Sequence, residues 1–348
     1  MTRAESSKMK VAVLSFAHGH AVGYLRYLKR RDDVELVACD PDGTSSLDEG
    51  PRGQELADEC GVTYLDSYEK ALAWGPDAVV ICSENSKHRT LVEQAAAAGA
   101  HILCEKPLAT TTSDAEAMLD AVGRAGVALM TAFPVRFSPS FVKLKSQVQA
   151  GVLGDVLAVL GTNNGKIPSE RRWFTDPALS GGGSLVDHIV HCADLLDSLL
   201  EQPATSVRAV SNRILHAETG VQVETGGLVT ITYQGGVIAT IDCSWSQPIS
   251  APNWGGLTLE VLGTKGSVKI SPFASHVGGH GAAGAIWLPF GTDLDAKMID
   301  EFLDDVREGR QPQPDGGAGL RAVTIMNAAQ LSAQAQTSGH GGVVVVEF

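Results

Sequence analysis

Three groups of residues in this 348-residue chain combine type and spacing in ways that chemistry can use. The first is Glu105-Lys106-Pro107, which ends the apolar run 102–104. Pro107 has no amide proton and pushes Lys106 out of helical geometry, so a strand must stop there. An ammonium at that edge can polarise a hydroxyl or carbonyl, or move a proton if its pKa is lowered. The second group is Asp187, His191 and Asp194, spaced four and three apart in a run of helical period. That spacing places them on one helix face. Gly181-Gly182-Gly183 precedes the run and lets another group approach its start closely. His188, three residues before His191, could join Asp187 on a metal, but the sequence offers no clear third ligand and no metal is assigned. The third group is Ser15-Phe16-Ala17-His18-Gly19-His20 together with Asp40, which follow the apolar runs 10–14 and 34–39.

These residues need a frame. Apolar runs at 10–14, 34–39, 78–82, 102–104 and 128–132 alternate with helical patterns, the last at 113–126. Strands that are apolar throughout, not alternating, belong to a parallel sheet covered on both faces. Such sheets bind ligands at the strands' carboxyl ends, and dinucleotide folds carry G-x-G-x-x-G after the first strand. Here Ser15, Ala17 and His20 occupy the three glycine places. Small residues at the first two still permit a tight turn and close approach to a pyrophosphate at a helix start. Asp40 stands where a carboxylate accepts bonds from a ribose diol. Strand order and Asp40 together point to dinucleotide binding; without them, His18 and His20 are plain polar residues at a helix start. Pro41 and Asp42 follow Asp40 with no Arg or Ser beside it, which favours NAD over NADP. Arg52, folding back from the turn-rich insertion 41–53, is the residue that would alter this.

From residue 134 the pattern changes. A helix is expected over 138–151, a strand from 156 and a helix over 184–200. Strands follow at 207–214, 226–233, 236–245, 257–262 and 267–270, separated by Gly-rich turns. They predict a mostly antiparallel, open sheet of about five or six strands. The glycine-rich stretch 276–284 reads as a mobile loop that binds no metal. Helices at 294–308 and 316–337 and a strand at 343–348 complete the chain. The expected architecture is α/β: a Rossmann dinucleotide-binding domain at 1–133 and an α/β substrate and oligomerisation domain at 134–348. An open sheet face rich in Val, Ile and Leu, with Trp245, seldom stays in water, so a homodimer or homotetramer is expected.

Composition excludes several classes. Hydrophobic residues make up 44% of the chain, yet no apolar segment is long enough to span a bilayer. The polar start, residues 1–10, lacks the apolar core of a secretion signal. Six scattered cysteines without a C-x-x-C read as reduced core residues of a cytoplasmic protein. A net charge of −13 argues against nucleic acid or an anionic membrane as partner.

Taken together, Glu105-Lys106-Pro107-Leu108-Ala109, Asn85 and His88, Arg136-Phe137, Gly181–Asp187 with His191 and Asp194, and Gly263-Thr264-Lys265-Gly266 resemble the Gfo/Idh/MocA oxidoreductases in type and order. The resemblance covers nearly the whole chain. It implies NAD(P)-linked hydride transfer between nicotinamide and a sugar, polyol or related small hydroxy or keto substrate. It places catalysis on Lys106, Asp187 and His191. Substrate contacts are expected from these three with Arg136 and His188. Cofactor contacts are expected from Ser15 to His20, Asp40, Ser83, Asn85, His88, Glu105 and Lys106. His191 suits a proton acceptor and Lys106 an oxyanion holder, while Asp187 could bind a second hydroxyl or orient the imidazole. The departures from the family pattern are the lost glycines and His188. Two other readings share the fold: an NAD-dependent glycosidase or eliminase that oxidises transiently, and a non-catalytic cofactor-binding sensor.

Overall fold

The computed structural model describes residues 8–43, 50–282, 284–337 and 342–346. The first half is a six-stranded parallel sheet. Its strands are β1 (Met9–Leu14), β2 (Val34–Cys39), β3 (Thr63–Tyr64), β4 (Ala78–Ile81), β5 (His101–Cys104) and β6 (Leu129–Thr131), in the order β3-β2-β1-β4-β5-β6. That order reverses between β1 and β4, which opens the crevice where doubly wound folds bind ligands. Helices α1 (His20–Lys29), α2 (Gly53–Cys60), α3 (Tyr68–Ala73), α4 (His88–Ala97) and α5 (Thr112–Ala125) connect the strands. The ends of α5 show how sequence sets them. Thr111 caps α5 by accepting from the Asp114 amide, and Gly126, at φ +69°, closes it. Helix α2 starts at Gly53, where the expected insertion ends; residues 44–49 of that insertion and the ends of the chain lie outside the described residues.

The second half opens with α6 (Pro139–Gln149), β7 (Val156–Gly165), the short α7 (Pro177–Ser180) and α8 (Ser184–Leu200). Then follow β8 (Ala204–Asn212), β9 (Gly226–Tyr233), β10 (Ile238–Ser244), β11 (Gly255–Gly263) and β12 (Gly266–Ile270). The hairpin β13 (His276–Gly281) and β14 (Gly284–Pro289), helices α9 (Leu294–Glu308) and α10 (Gly316–Thr337), and β15 (Val344–Val345) end the chain. The sheet has seven strands, ordered β12-β11-β7-β10-β9-β8-β15. All pairs are antiparallel except β7 with β10, so the sheet is mixed. One face is covered by α8 and α10; along it Val159, Ile241, Val229 and Leu259 are buried.

Two expectations are corrected here. The stretch 276–284 is no loop: it pairs across Gly279 and Ile286 into a separate two-stranded sheet, with His276 stacked on Trp287. The terminal strand covers only Val344–Val345 among the described residues. The helix α9 leaves the second half and lies against the first: Met298, Ile299, Phe302 and Leu303 share a buried cluster with Val11, Val13, Tyr24 and Leu25. The Thr131 amide also donates to the Pro314 carbonyl at 2.9 Å, tying β6 to the segment before α10.

Candidate active site

The end of β5 and the start of α8 meet at one ion pair. Lys106 Nζ donates to Asp187 Oδ1 at 2.7 Å, with both side chains nearly buried. The other carboxylate oxygen of Asp187 accepts from Trp245 Nε1 at 3.3 Å and lies 3.2 Å from His188 Nε2. Burial pushes the Asp187 carboxyl up, but the Lys106 ammonium and His188 outweigh it and leave it well below the usual carboxylate range. Asp187 is therefore the anchor of Lys106. Of the two roles expected for it, orienting His191 finds no hydrogen bond between the two side chains among the described residues, while the carboxylate keeps acceptor capacity for a second hydroxyl.

His191 lies one turn further along α8 and lines the same cleft as Lys106, Asp187, His188 and His20, a cavity of about 660 Å³. Burial first, and then the nearby Lys106 ammonium, hold its pKa well below the ordinary value, so it is a neutral imidazole. Its Nδ1 is buried without a hydrogen-bond partner. Asp194, next on that face, turns away: it accepts from Arg136 at 2.8 and 2.9 Å. Arg136, expected at the substrate, has its guanidinium on Asp194, where it ties residues 134–137 to α8; Pro134 and Val135, not Arg136, line the cleft.

The start of α8 owes its position to Glu224. One carboxylate oxygen accepts from the amides of Gly183 and Leu185, at 2.8 and 3.2 Å. A Cβ at Gly183 would come within 1.9 Å of the Glu224 carbonyl oxygen, so this glycine of the triplet is required by backbone approach.

Across the cleft, the loop 15–20 runs from β1 to α1. Ser15 holds φ +66°, the left-handed turn that glycine usually makes at this place. Trp173, in the second half of the chain, donates its Nε1 to the Ala17 carbonyl at 2.9 Å, and Phe174 stacks on Trp173 beside His18. A Cβ built on Gly19 meets nothing within 4 Å, so the loop faces open space in front of the α1 N-terminus. The helix start there would favour the charge of a dinucleotide's diphosphate. Glu105, only 1% exposed, receives the Tyr24 hydroxyl at 2.7 Å and lies 2.9 Å from His20 Nδ1. Burial opposes its charge, yet the imidazoles and the Lys106 ammonium hold it well below the usual carboxylate range. His18 is driven down to about 3, chiefly by burial. The imidazole able to carry charge opposite Glu105 is therefore His20, which touches it; burial lowers its pKa, but the Glu105 carboxylate outweighs this and raises it.

Two residues expected at the cofactor already have partners within the protein. Asp40 is 1% exposed and already paired: Arg52 donates to its two oxygens at 2.6 and 3.0 Å, and Gly53 N adds a third bond at 3.0 Å. The sequence reading that no cation stands beside Asp40 is overturned, because the chain returns Arg52 to it at the start of α2. His88 is fully buried with both ring nitrogens against the carbonyls of Pro107, Leu108 and Ser83, so it fixes the loop around the Glu-Lys-Pro turn. Asn85 donates to the Ser180 carbonyl, joining the β4 loop to the glycine triplet, and the Ser83 hydroxyl donates to the Glu84 carbonyl. Sequence reasoning missed Trp173 and Glu224, which leave no local pattern. Trp245, expected on the open sheet face, is fully buried against Asp187.

The family described as "Oxidoreductase family, NAD-binding Rossmann fold" matches residues 24–133, and the GFO/IDH/MocA C-terminal domain matches residues 141–269. Myo-inositol 2-dehydrogenase of Thermotoga maritima is 28% identical over 327 residues, spanning 89% of this chain and 92% of that protein. The uncharacterized oxidoreductase YrbE of Bacillus subtilis is 30% identical over 298 residues, spanning 81% and 83%. Among solved structures, GenD2 from gentamicin A biosynthesis, in complex with NAD, superposes with a TM-score of 0.86 at 24% identity, covering 100% of this chain and 99% of that one.

Proposed function

The chain belongs to the Gfo/Idh/MocA oxidoreductases, with an NAD-binding Rossmann domain, and from that premise we propose that it oxidises a carbinol of a sugar or polyol. The observation that carries the reading is the Lys106–Asp187 contact at 2.7 Å, which brings the end of β5 and the start of α8 into one cleft with His191. Such oxidation takes a hydride from carbon and a proton from oxygen. Bound nicotinamide supplies the hydride acceptor. Lys106, fixed by Asp187, holds the reacting oxygen and stabilises charge developing on it. His191, neutral and open to the cleft, accepts the proton. Trp245 and His188 act through Asp187, keeping the carboxylate where Lys106 needs it.

The experiment is a single-turnover measurement of NADH formation with a panel of polyols and glycosides. Lys106→Met and His191→Asn should each lower the rate on the order of 10²–10⁴-fold, with NAD binding little changed. The double variant should cost far less than the product, since groups that act as a unit are not additive. A folded, fully active His191→Asn would remove that residue from the mechanism. Product release without net NADH would move the reading to a transient-oxidation glycosidase or eliminase, and no turnover with any substrate to a sensor.

Preference for NAD over NADP belongs to the same proposal, on the ground that Arg52 is engaged by both Asp40 oxygens, as do assembly into a homo-oligomer and a cytoplasmic location. The six unpaired thiols fit a reducing compartment, and among the described residues no helix is long and apolar enough to cross a membrane.

A further inference from the structure

Carbinol oxidation leaves one proton in a narrow cleft, and the group that first receives it is poorly built to keep it. The Nδ1 of His191 is buried without a partner, and the neighbouring Lys106 carries a like charge. A second imidazole opens into the same cleft. His20 occupies the third glycine place of the β1–α1 loop, where glycine ordinarily serves close helix–strand packing. Here the side chain is held instead by the residue before Lys106. Its Nδ1 lies 2.9 Å from Glu105 Oε1, which also accepts from Tyr24, while Glu105 Oε2 accepts from the Lys106 amide at 3.1 Å. Glu105 is buried, whereas the His20 side chain is 39% exposed. An imidazole with a buried carboxylate on one nitrogen and the cleft at the other is suited to take up a proton and release it again.

We propose that His20, backed by Glu105, is the relay that carries the reaction's proton from His191 to solvent. This rests on the dehydrogenase reading above. The substrate C–H bond breaks with its electron pair passing to the nicotinamide, and the O–H bond breaks with its proton passing to His191 Nε2. His191 returns to neutral by handing that proton, through water or directly, to His20 Nε2, while the Nδ1–H of His20 stays on Glu105. His20 then releases it at the mouth of the cleft. The groups facing His20 are Glu105 and Lys106 beyond β5, His18 in its own loop, Tyr24 on α1 and Asp295 on the first turn of α9. The relay needs a neutral His20 at rest, so it works above the pKa of that imidazole and stalls as the solution becomes acid.

The test uses the full chain and two variants, His20→Gln and Glu105→Gln. Three quantities are read: kcat against pH at saturating NAD, with and without added imidazole; NAD affinity by fluorescence titration; and the His20 ring titration by NMR. His20→Gln should lower kcat roughly 10–100-fold, below the scale of a directly reacting acid–base group. Added imidazole should restore most of that loss, and NAD affinity should change less than about twofold. Glu105→Gln should move the acid limb of kcat and the His20 titration together, downward by about one pH unit or more, because an opposite charge has been removed. A loss confined to NAD affinity would overturn the relay and make His20 a cofactor contact. Unchanged kcat in folded His20→Gln would overturn it as well. Should that variant unfold, an unmoved acid limb in Glu105→Gln decides the matter. Wild type that forms no NADH with any substrate defeats the dehydrogenase reading itself, a result distinct from an intact wild type with an indifferent His20.

Discussion

At the scale of single residues, what matters is which partner each charged group already has. Lys106, Asp187 and His191 could be read from the sequence because a strand-ending proline and a helical spacing leave a local trace. Their pairing could not. Asp187 and His191 share a helix face, yet Asp187 faces Lys106, His188 and Trp245, which lie up to 81 positions away in the chain. Asp40 makes the same point. Its place at the end of β2 was legible, but its neutralisation by Arg52 depended on how an irregular segment returns. A carboxylate already matched by a guanidinium repels a 2′-phosphate less than a bare one. Asp40→Ala should therefore leave Arg52 with its charge uncompensated and raise the affinity for NADP relative to NAD, by about tenfold or more. Fluorescence titration with both cofactors gives the ratio, and an unchanged ratio would place the ribose elsewhere. The variant should also lose stability, on the order of 3–5 kcal/mol, because one half of a buried pair is gone.

At the scale of elements, α8 is the rod on which Asp187, His188 and His191 are mounted, and its N-terminal end is the part that must not drift. The helix was legible over its whole length from its period. Its anchor was not, since Glu224 comes from the segment before β9 and shows no pattern of its own. Glu224→Ala removes the acceptor for two amides at the helix start, so it should cost about 1–3 kcal/mol of stability. It should also lower kcat without a matching rise in KM. Gly183→Ala drives a Cβ into the Glu224 carbonyl and should be at least as damaging. Melting curves paired with steady-state kinetics check both; wild-type kcat in a destabilised Glu224→Ala would show that the cap serves folding alone. The hairpin β13–β14 was misread for a related reason. Glycine-rich strands carry little alternation, so their register comes from pairing across the turn and not from a buried face.

For the molecule as a whole, the layers were legible in outline: fully apolar strands signalled the parallel sheet, and alternating ones the open sheet. The outer face of the open sheet presents Leu160, Val210, Leu228 and Ile238, each 45–49% exposed, beside cross-strand threonine pairs such as Thr162 with Thr258. Two such faces placed together would bury these side chains, so wild type should run as a dimer or larger by light scattering at micromolar concentration. Leu160→Lys with Leu228→Lys should yield a monomer. A monomer mass for wild type would leave this face without its partner.

The placement of α9 has a consequence for how the protein is made. The layer that covers β1 and α1 is completed by Met298, Ile299, Phe302 and Leu303, which the ribosome adds long after β6 has emerged. At ~5–20 residues per second the gap of about 160 residues lasts on the order of ten seconds or more. Throughout that interval the nascent first half carries an open apolar slot, a natural target for chaperones. Residues 1–133 expressed alone should therefore aggregate or bind a hydrophobic dye, and a peptide spanning 294–308 supplied in trans should suppress both. A soluble, dye-silent fragment would mean that the early half closes its slot unaided and that α9 merely docks upon it.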